Sequence, residues 1–189
     1  MELIPPAPHF LNSYLEACQE TWGHVHSTYI LHDPSQYARW KDTIFQQFEN
    51  EKRGIGLPPG YVPSTTFWLI CGERFIGSGN IRHFLNASLR EYGGQIGDFI
   101  RLSERGKGYG SLLLRMLLSK AEEMGIRETL ITCEADTDVR KNISSRWENG
   151  FSQKNRQRRM WKEESKKFCA TGYAVSENGA RRNFPPYFA

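Results

Sequence analysis

Cysteine is scarce in this chain. Four occur in 189 residues, at Cys18, Cys71, Cys133 and Cys169, and no two are spaced as a CxxC pair. That excludes zinc-ribbon and dithiol redox spacings. Scattered unpaired cysteines suit a reducing compartment. Apolar runs of membrane-spanning length are missing too, and residues 1–6 lack the basic-then-apolar order of a signal peptide. The expectation is a soluble cytoplasmic protein with no membrane partner. Charge of one sign is not in large excess: 25 Lys and Arg against 21 Asp and Glu give a net of +4. That falls short of a dedicated nucleic-acid binder, though it suits a pocket for an anionic cofactor. Internal repeats and low-complexity tracts are absent.

Hydrophobic residues make up 39% and aromatics 13%, enough for a packed core. The length predicts one domain over 1–189. Ser13 and Glu16 read as a capping box, with Leu15, Cys18 and Trp22 on one helical face and Gly23 as the stop. Asp33, Pro34 and Gln36 mark a second start, and Tyr37, Trp40, Ile44 and Phe48 follow at helical spacing. Residues 53–64, rich in Gly and Pro, form a loop. Strands are predicted at 65–71 and 75–81, joined by a turn at Gly72 and Glu73, and at 96–100. A helix over 108–124 carries Leu113, Leu114, Leu117, Leu118, Ala121 and Met124 on its apolar face, and Gly125 stops it. A strand at 128–133, a helix at 139–149 and strands near 159–162 and 168–175 complete the series. The order predicts an α/β (α+β) fold, with a mixed, mostly antiparallel central sheet flanked by helices.

Between the third strand and the long helix stands Arg105-Gly106-Lys107-Gly108-Tyr109-Gly110. Glycine weakens a helix start, so three of them here need another reason. They let backbone approach a bulky ligand. The free N–H groups and dipole of the following helix favour an anion, and Arg105 and Lys107 add positive charge. The pattern reads as a phosphate or pyrophosphate cradle. It is not a P-loop, which needs GxxxxGK[ST]. Nor is it a dinucleotide fingerprint, which needs GxGxxG in an early strand–helix unit. A tight turn without a ligand is the plain alternative.

Arg105, Gly108 and Gly110 resemble the Arg-x-x-Gly-x-Gly pyrophosphate signature of the GNAT N-acetyltransferase superfamily, and residues 96–105 resemble the strand leading into it. Glu148-Asn149-Gly150-Phe151 is similar to the close of the family's next helix. Asn80-Ile81-Arg82-His83 and Leu130-Ile131-Thr132-Cys133 fit a predicted-acetyltransferase branch. The most family-like part spans about 65–165, with the helices at 10–50 and a tail at 176–189 as extensions. The resemblance implies a GNAT-like acyl-CoA N-acyltransferase fold and acetyl-CoA as co-substrate, with no metal. Gly106, Lys107, Gly108, Tyr109, Gly110 and Ser111 would hold the pyrophosphate through their N–H groups. Phe99 and Ile100 would pair with the pantetheine arm. A bulge in their strand would free an N–H to polarise the thioester carbonyl. A primary amine, of an acceptor the sequence does not identify, would attack directly in a ternary complex, with a base leaving it neutral. The family's frequent tyrosine acid is replaced by Arg146. Asn142 stands near the place of its usual asparagine, and Leu102 replaces a common proline.

Asp98 shares a strand face with Ile100, either as base or amine ligand or as a salt-bridged carboxylate. Glu134 and Asp136 follow a strand end, where a cationic acceptor could bind, although Asp136 or Asp138 could instead cap the next helix. His83 has a suitable pKa for a base but stands alone in a polar loop. Cys133 reads as a small buried residue. The basic run 154–167, interrupted by Glu163 and Glu164, is a solvated face or, in a competing reading, a nucleic-acid contact. A non-catalytic acyl-CoA-binding module is the other alternative. The tail 178–189 either packs across the domain or forms a flexible end. A homodimer is left open.

Overall fold

The computed structural model describes residues 1–22, 24 and 31–131. Strand β1 (Glu2–Ile4) and a 3₁₀ turn at Pro8–Phe10 lead into helix α1 (Leu11–Thr21). A second 3₁₀ turn, Pro34–Gln36, opens onto helix α2 (Tyr37–Trp40) and then helix α3 (Ile44–Arg53). Strands β2 (Ser64–Cys71), β3 (Arg74–Arg82) and β4 (Ile96–Ile100) precede helix α4 (Tyr109–Glu123). The strands lie in the order β1-β2-β3-β4, each antiparallel to its neighbour. The fold is mixed α/β, as expected, with helices on both faces of the sheet.

The second helix start is built as its sequence suggests. The Asp33 carboxylate accepts from Ser35 N–H at 2.9 Å and from Gln36 Nε2 at 3.2 Å, with Pro34 in the first turn. The predicted apolar face holds: Trp40 and Ile44 are buried, and Tyr37 and Phe48 pack against them. The helix itself breaks at residues 41–43. Ser13 departs from expectation. Helix α1 begins before it, at Leu11, and the Ser13 hydroxyl accepts from Phe75 N–H at 3.0 Å, tying α1 to β3. Trp22 and Met124, expected on apolar faces, are exposed because each lies just past its helix's last turn. Strand β1 has no counterpart in the sequence reading, since three residues carry no periodicity. Residues 128–131 form no strand, although Leu130 C=O accepts from Gln95 N–H at 2.6 Å. The helix expected at 139–149, the strands at 159–162 and 168–175, and the tail lie outside the described residues.

Each sheet face has its own core. On one face, Tyr14, Cys18, Trp40 and Ile44 from the helices meet Trp68 and Phe75. Tyr14 stacks on Trp68 with centroids 4.7 Å apart and planes 14° from parallel. Its hydroxyl reaches His32 Nδ1 at 2.8 Å, and burial holds the His32 pKa below its ordinary value. On the other face, Leu113, Leu117 and Ala121 of α4 cover Leu69, Ile81 and Ile96. Each buried leucine is worth about 1.5–3 kcal/mol. Glycines in β3 make room on two sides: a Cβ on Gly79 would lie 2.3 Å from Leu117 Cδ1 of α4, and one on Gly77 would lie 2.3 Å from Phe99 O of β4.

Candidate functional site

The segment joining β4 to α4 is fixed before any ligand arrives. Residues Leu102–Glu104 make one 3₁₀ turn. Buried Arg101 donates from Nε (3.1 Å) and Nη2 (2.8 Å) to Glu20 near the end of α1, and from Nη1 to Phe75 O. Ser103 N–H donates to the same carboxylate. Desolvation pushes the Glu20 pKa up, but Ser103 and Arg101 together outweigh it and hold the group below the ordinary glutamate value.

Then comes the glycine turn. Gly106 and Gly108 have φ of 77° and 82°, the left-handed region that disfavours any Cβ. Nothing lies within 4 Å of where either Cβ would be, so the backbone there faces open space. Gly108 is the N-cap of α4, and no side chain caps that end. The first-turn N–H groups are thus available to an anion, with a 15-residue helix dipole behind them. Gly110 differs: it lies within α4, and its nearest neighbour, Ile100 Cγ1, would sit at an ordinary 3.9 Å.

The two cations expected to face the anion already have protein partners. Arg105 donates from Nε to Ile100 O at 3.1 Å, and its guanidinium stands 5.9 Å from the Phe99 ring centroid. Lys107 Nζ lies 2.9 Å from Glu104, which also pairs with Arg74 at 3.3 Å. Glu104 was absent from the sequence candidates. The signal that could have found it is its i, i+3 spacing to Lys107.

Phe99 is buried against the α1 side of the sheet, and Ile100 packs toward α4. The bulge expected in their strand is not there. Strand β4 pairs with β3 without a break, from Gly77↔Ile100 to Ile81↔Ile96. The register shift falls between β2 and β3 instead: Leu69 faces Gly77 while Ile70 faces Phe75, leaving Ile76 as the extra residue. Among the described strands, β4 is an edge. Arg101 N–H donates to Ile76 O, so alternation turns the Ile100 N–H toward that edge.

Asp98 sits on the same face as Ile96 and Ile100, and its carboxylate has no hydrogen bond or ion pair among the described residues. Desolvation pushes its pKa up, although the exposed side chain keeps its access to water and so limits the shift. His83 lies elsewhere. Its Nε2 meets Thr65 Oγ1 at 2.8 Å, and it lines a cavity of about 660 Å³ with Phe48, Lys52, Phe67 and Met124. Burial and, second, the Lys52 charge hold its pKa down. That cavity is at the C-terminal end of α4, roughly 22 Å of helix from the glycine turn. Glu134, Asn142, Asp136, Asp138, Cys133 and Arg146 lie outside the described residues. Cys18 is buried, which pushes its pKa up to about 12. No cluster of three or more metal-ligating side chains occurs among the described residues.

Among solved structures, the chain is similar to PaiA N-acetyltransferase from Thermoplasma acidophilum, crystallised in complex with coenzyme A. Identity is 13%, the match covers 81% of this chain and 90% of that one, and the TM-score is 0.46. So loose a likeness bears no functional weight. No curated protein matches the sequence. The acetyltransferase (GNAT) family model matches residues 14–144, more than half of the chain and inclusive of the glycine turn with the strand and helix that flank it. The chain belongs to the acetyltransferase (GNAT) family and is an acyltransferase.

Proposed function

We propose that this protein transfers the acetyl group of acetyl-CoA to the primary amine of a small-molecule acceptor, by direct attack in a ternary complex. The observation that carries the reading is the open turn at Gly106 and Gly108 running into the uncapped start of α4. Its N–H groups, with those of Tyr109, Gly110 and Ser111, suit a pyrophosphate. From there the pantetheine arm would lie along the edge of β4 that is unpaired among the described strands, reaching the outward main chain of Ile100 and passing beside Phe99. The Ile100 N–H at that edge suits polarisation of the thioester carbonyl. Asp98, further back on the same strand, is the candidate base among the described residues. Its raised pKa and lack of a fixed partner favour taking a proton from the acceptor's ammonium, which leaves a neutral amine to attack the thioester and expel the coenzyme A thiolate.

Titration calorimetry with acetyl-CoA, using ATP and NAD as controls, tests this directly. Saturable binding of acetyl-CoA alone is expected. Gly108→Glu, which places an anion and a strained Cβ in the turn, abolishes it. Gly108→Asn, which tolerates positive φ without adding charge, retains most of it. Wild-type affinity in Gly108→Glu would remove the turn from the cofactor site.

A further inference from the structure

Lys107 stands between the two positive-φ glycines, and its ammonium is taken: Nζ lies 2.9 Å from Glu104 Oε2. The other oxygen, Oε1, lies 3.3 Å from Arg74 Nε. Arg74 also donates to Ser103 Oγ at 3.2 Å, so it is anchored to the same segment. The Glu104 side chain is only 11% exposed, whereas those of Lys107 and Arg74 are 51% and 48% exposed. One sheltered carboxylate therefore touches two cations beside the turn, and Arg105 adds a third positive charge next to it. Without that carboxylate, Lys107 and Arg74 would face each other unneutralised.

We propose that Glu104 is a built-in counter-anion that sets the affinity of the turn for its phosphorylated ligand. In the empty protein it neutralises Lys107 and Arg74 and keeps the loop from spreading by like-charge repulsion. When a diphosphate arrives at the start of α4, it must compete with Glu104 for Lys107. Binding is thereby weakened. This assignment rests on the acetyl-CoA reading above. It gives that site a residue that opposes its ligand, and so favours release of the spent cofactor.

The test is Glu104→Gln, which keeps the side chain's size and removes its charge. Two probes are titrated by calorimetry, acetyl-CoA and inorganic pyrophosphate, and the free protein is melted. The free variant melts below wild type. Its dissociation constants for both probes fall roughly three- to ten-fold, the range expected of one partly screened charge near a helix N-terminus. The gain shrinks as salt is raised, and it disappears when Glu104→Gln is made in a Lys107→Met background. Lys107→Met alone, an exposed substitution that leaves the fold intact, costs wild type less than about three-fold, because that ammonium is already spoken for. Equal or weaker binding by Glu104→Gln overturns the proposal, as does a gain that survives in Lys107→Met. If Glu104→Gln does not fold, a ten-fold loss in Lys107→Met alone overturns it. Wild type that binds pyrophosphate but not acetyl-CoA would sink the acetyl-CoA reading and leave Glu104 to be judged on pyrophosphate by the same criteria. Wild type that binds neither would end both.

Discussion

Gly77→Ala is the sharpest perturbation the fold offers. The new Cβ would sit 2.3 Å from Phe99 O, 2.8 Å from Ile100 Cδ1 and 3.3 Å from Ile100 Cα. Real Cβ atoms essentially never come under 3.0 Å, so the shortfall is about 0.7 Å. A flexible side chain could yield by turning a rotamer, but a backbone carbonyl in a paired strand cannot. Strand β4 must move outward at Phe99 and Ile100, or β3 must twist away from β4. Overpacking of this kind costs about 1–3 kcal/mol, and the backbone neighbour puts it in the upper half of that range. At roughly 2–4 °C per kcal/mol for a chain of this length, the melting temperature falls by about 4–12 °C. Gly106→Ala is the matched control. Its Cβ meets nothing within 4 Å, so only the positive φ is penalised, about 1–2 kcal/mol. Thermal melts followed by circular dichroism compare the two. Because the strand that shifts is the one proposed to hold the pantetheine arm, Gly77→Ala also weakens acetyl-CoA binding. A Gly77→Ala protein that melts with wild type, or above Gly106→Ala, would refute the packing argument.

The Glu20 clamp gives a pH signature. Its folded pKa lies below the unfolded value near 4.5, so its contribution is complete above that value and is lost as pH falls through the depressed folded one. Glu20→Gln is thus less stable than wild type at pH 7, and the gap narrows as pH falls below the ordinary value of 4.5; urea melts across pH show whether it does. Tyr14→Phe strands His32 Nδ1, which the Tyr14 hydroxyl meets at 2.8 Å, and the His32 N–H that donates to that oxygen at 3.3 Å. The expected cost is about 1–3 kcal/mol in urea denaturation, and an unchanged midpoint would show that His32 repartners.

The strands β2, β3 and β4 and the helix α4 were legible almost to the residue, because each is long enough for its period to show and is bounded by glycine. The turn between β4 and α4 was legible for the same reason, and positive φ at Gly106 and Gly108 gives the physical need behind it. Side-chain partners were not legible. Ser13 looks like a cap in one dimension, yet its hydroxyl is needed 62 residues on, at Phe75. Lys107 looks like a free cation until Glu104 is placed beside it. His83 looks like a base near the chemistry, but it lines a cavity at the other end of α4. In each case tertiary contact decides the role, and no local pattern encodes it. The β4 bulge failed differently. It was carried over from resemblance, and this chain places its irregularity at Ile76.

Strand β1 has a consequence for the order in which the fold closes. Its ladder is Glu2↔Ile70, Leu3↔Leu69 and Ile4↔Trp68, so each of its pairings closes a loop of more than sixty residues. Strands β2 and β3, by contrast, meet across a two-residue turn, with Cys71 opposite Arg74. Local closures cost little chain entropy and long ones cost more. The hairpin therefore forms early and offers its outer edge at Trp68–Ile70 while the first strand is still unattached. Strand β1, which precedes the hairpin in the chain, is thus among the last elements to find its place. Until it does, the apolar run Phe67–Ile70 of β2 is open to pairing with a neighbouring chain.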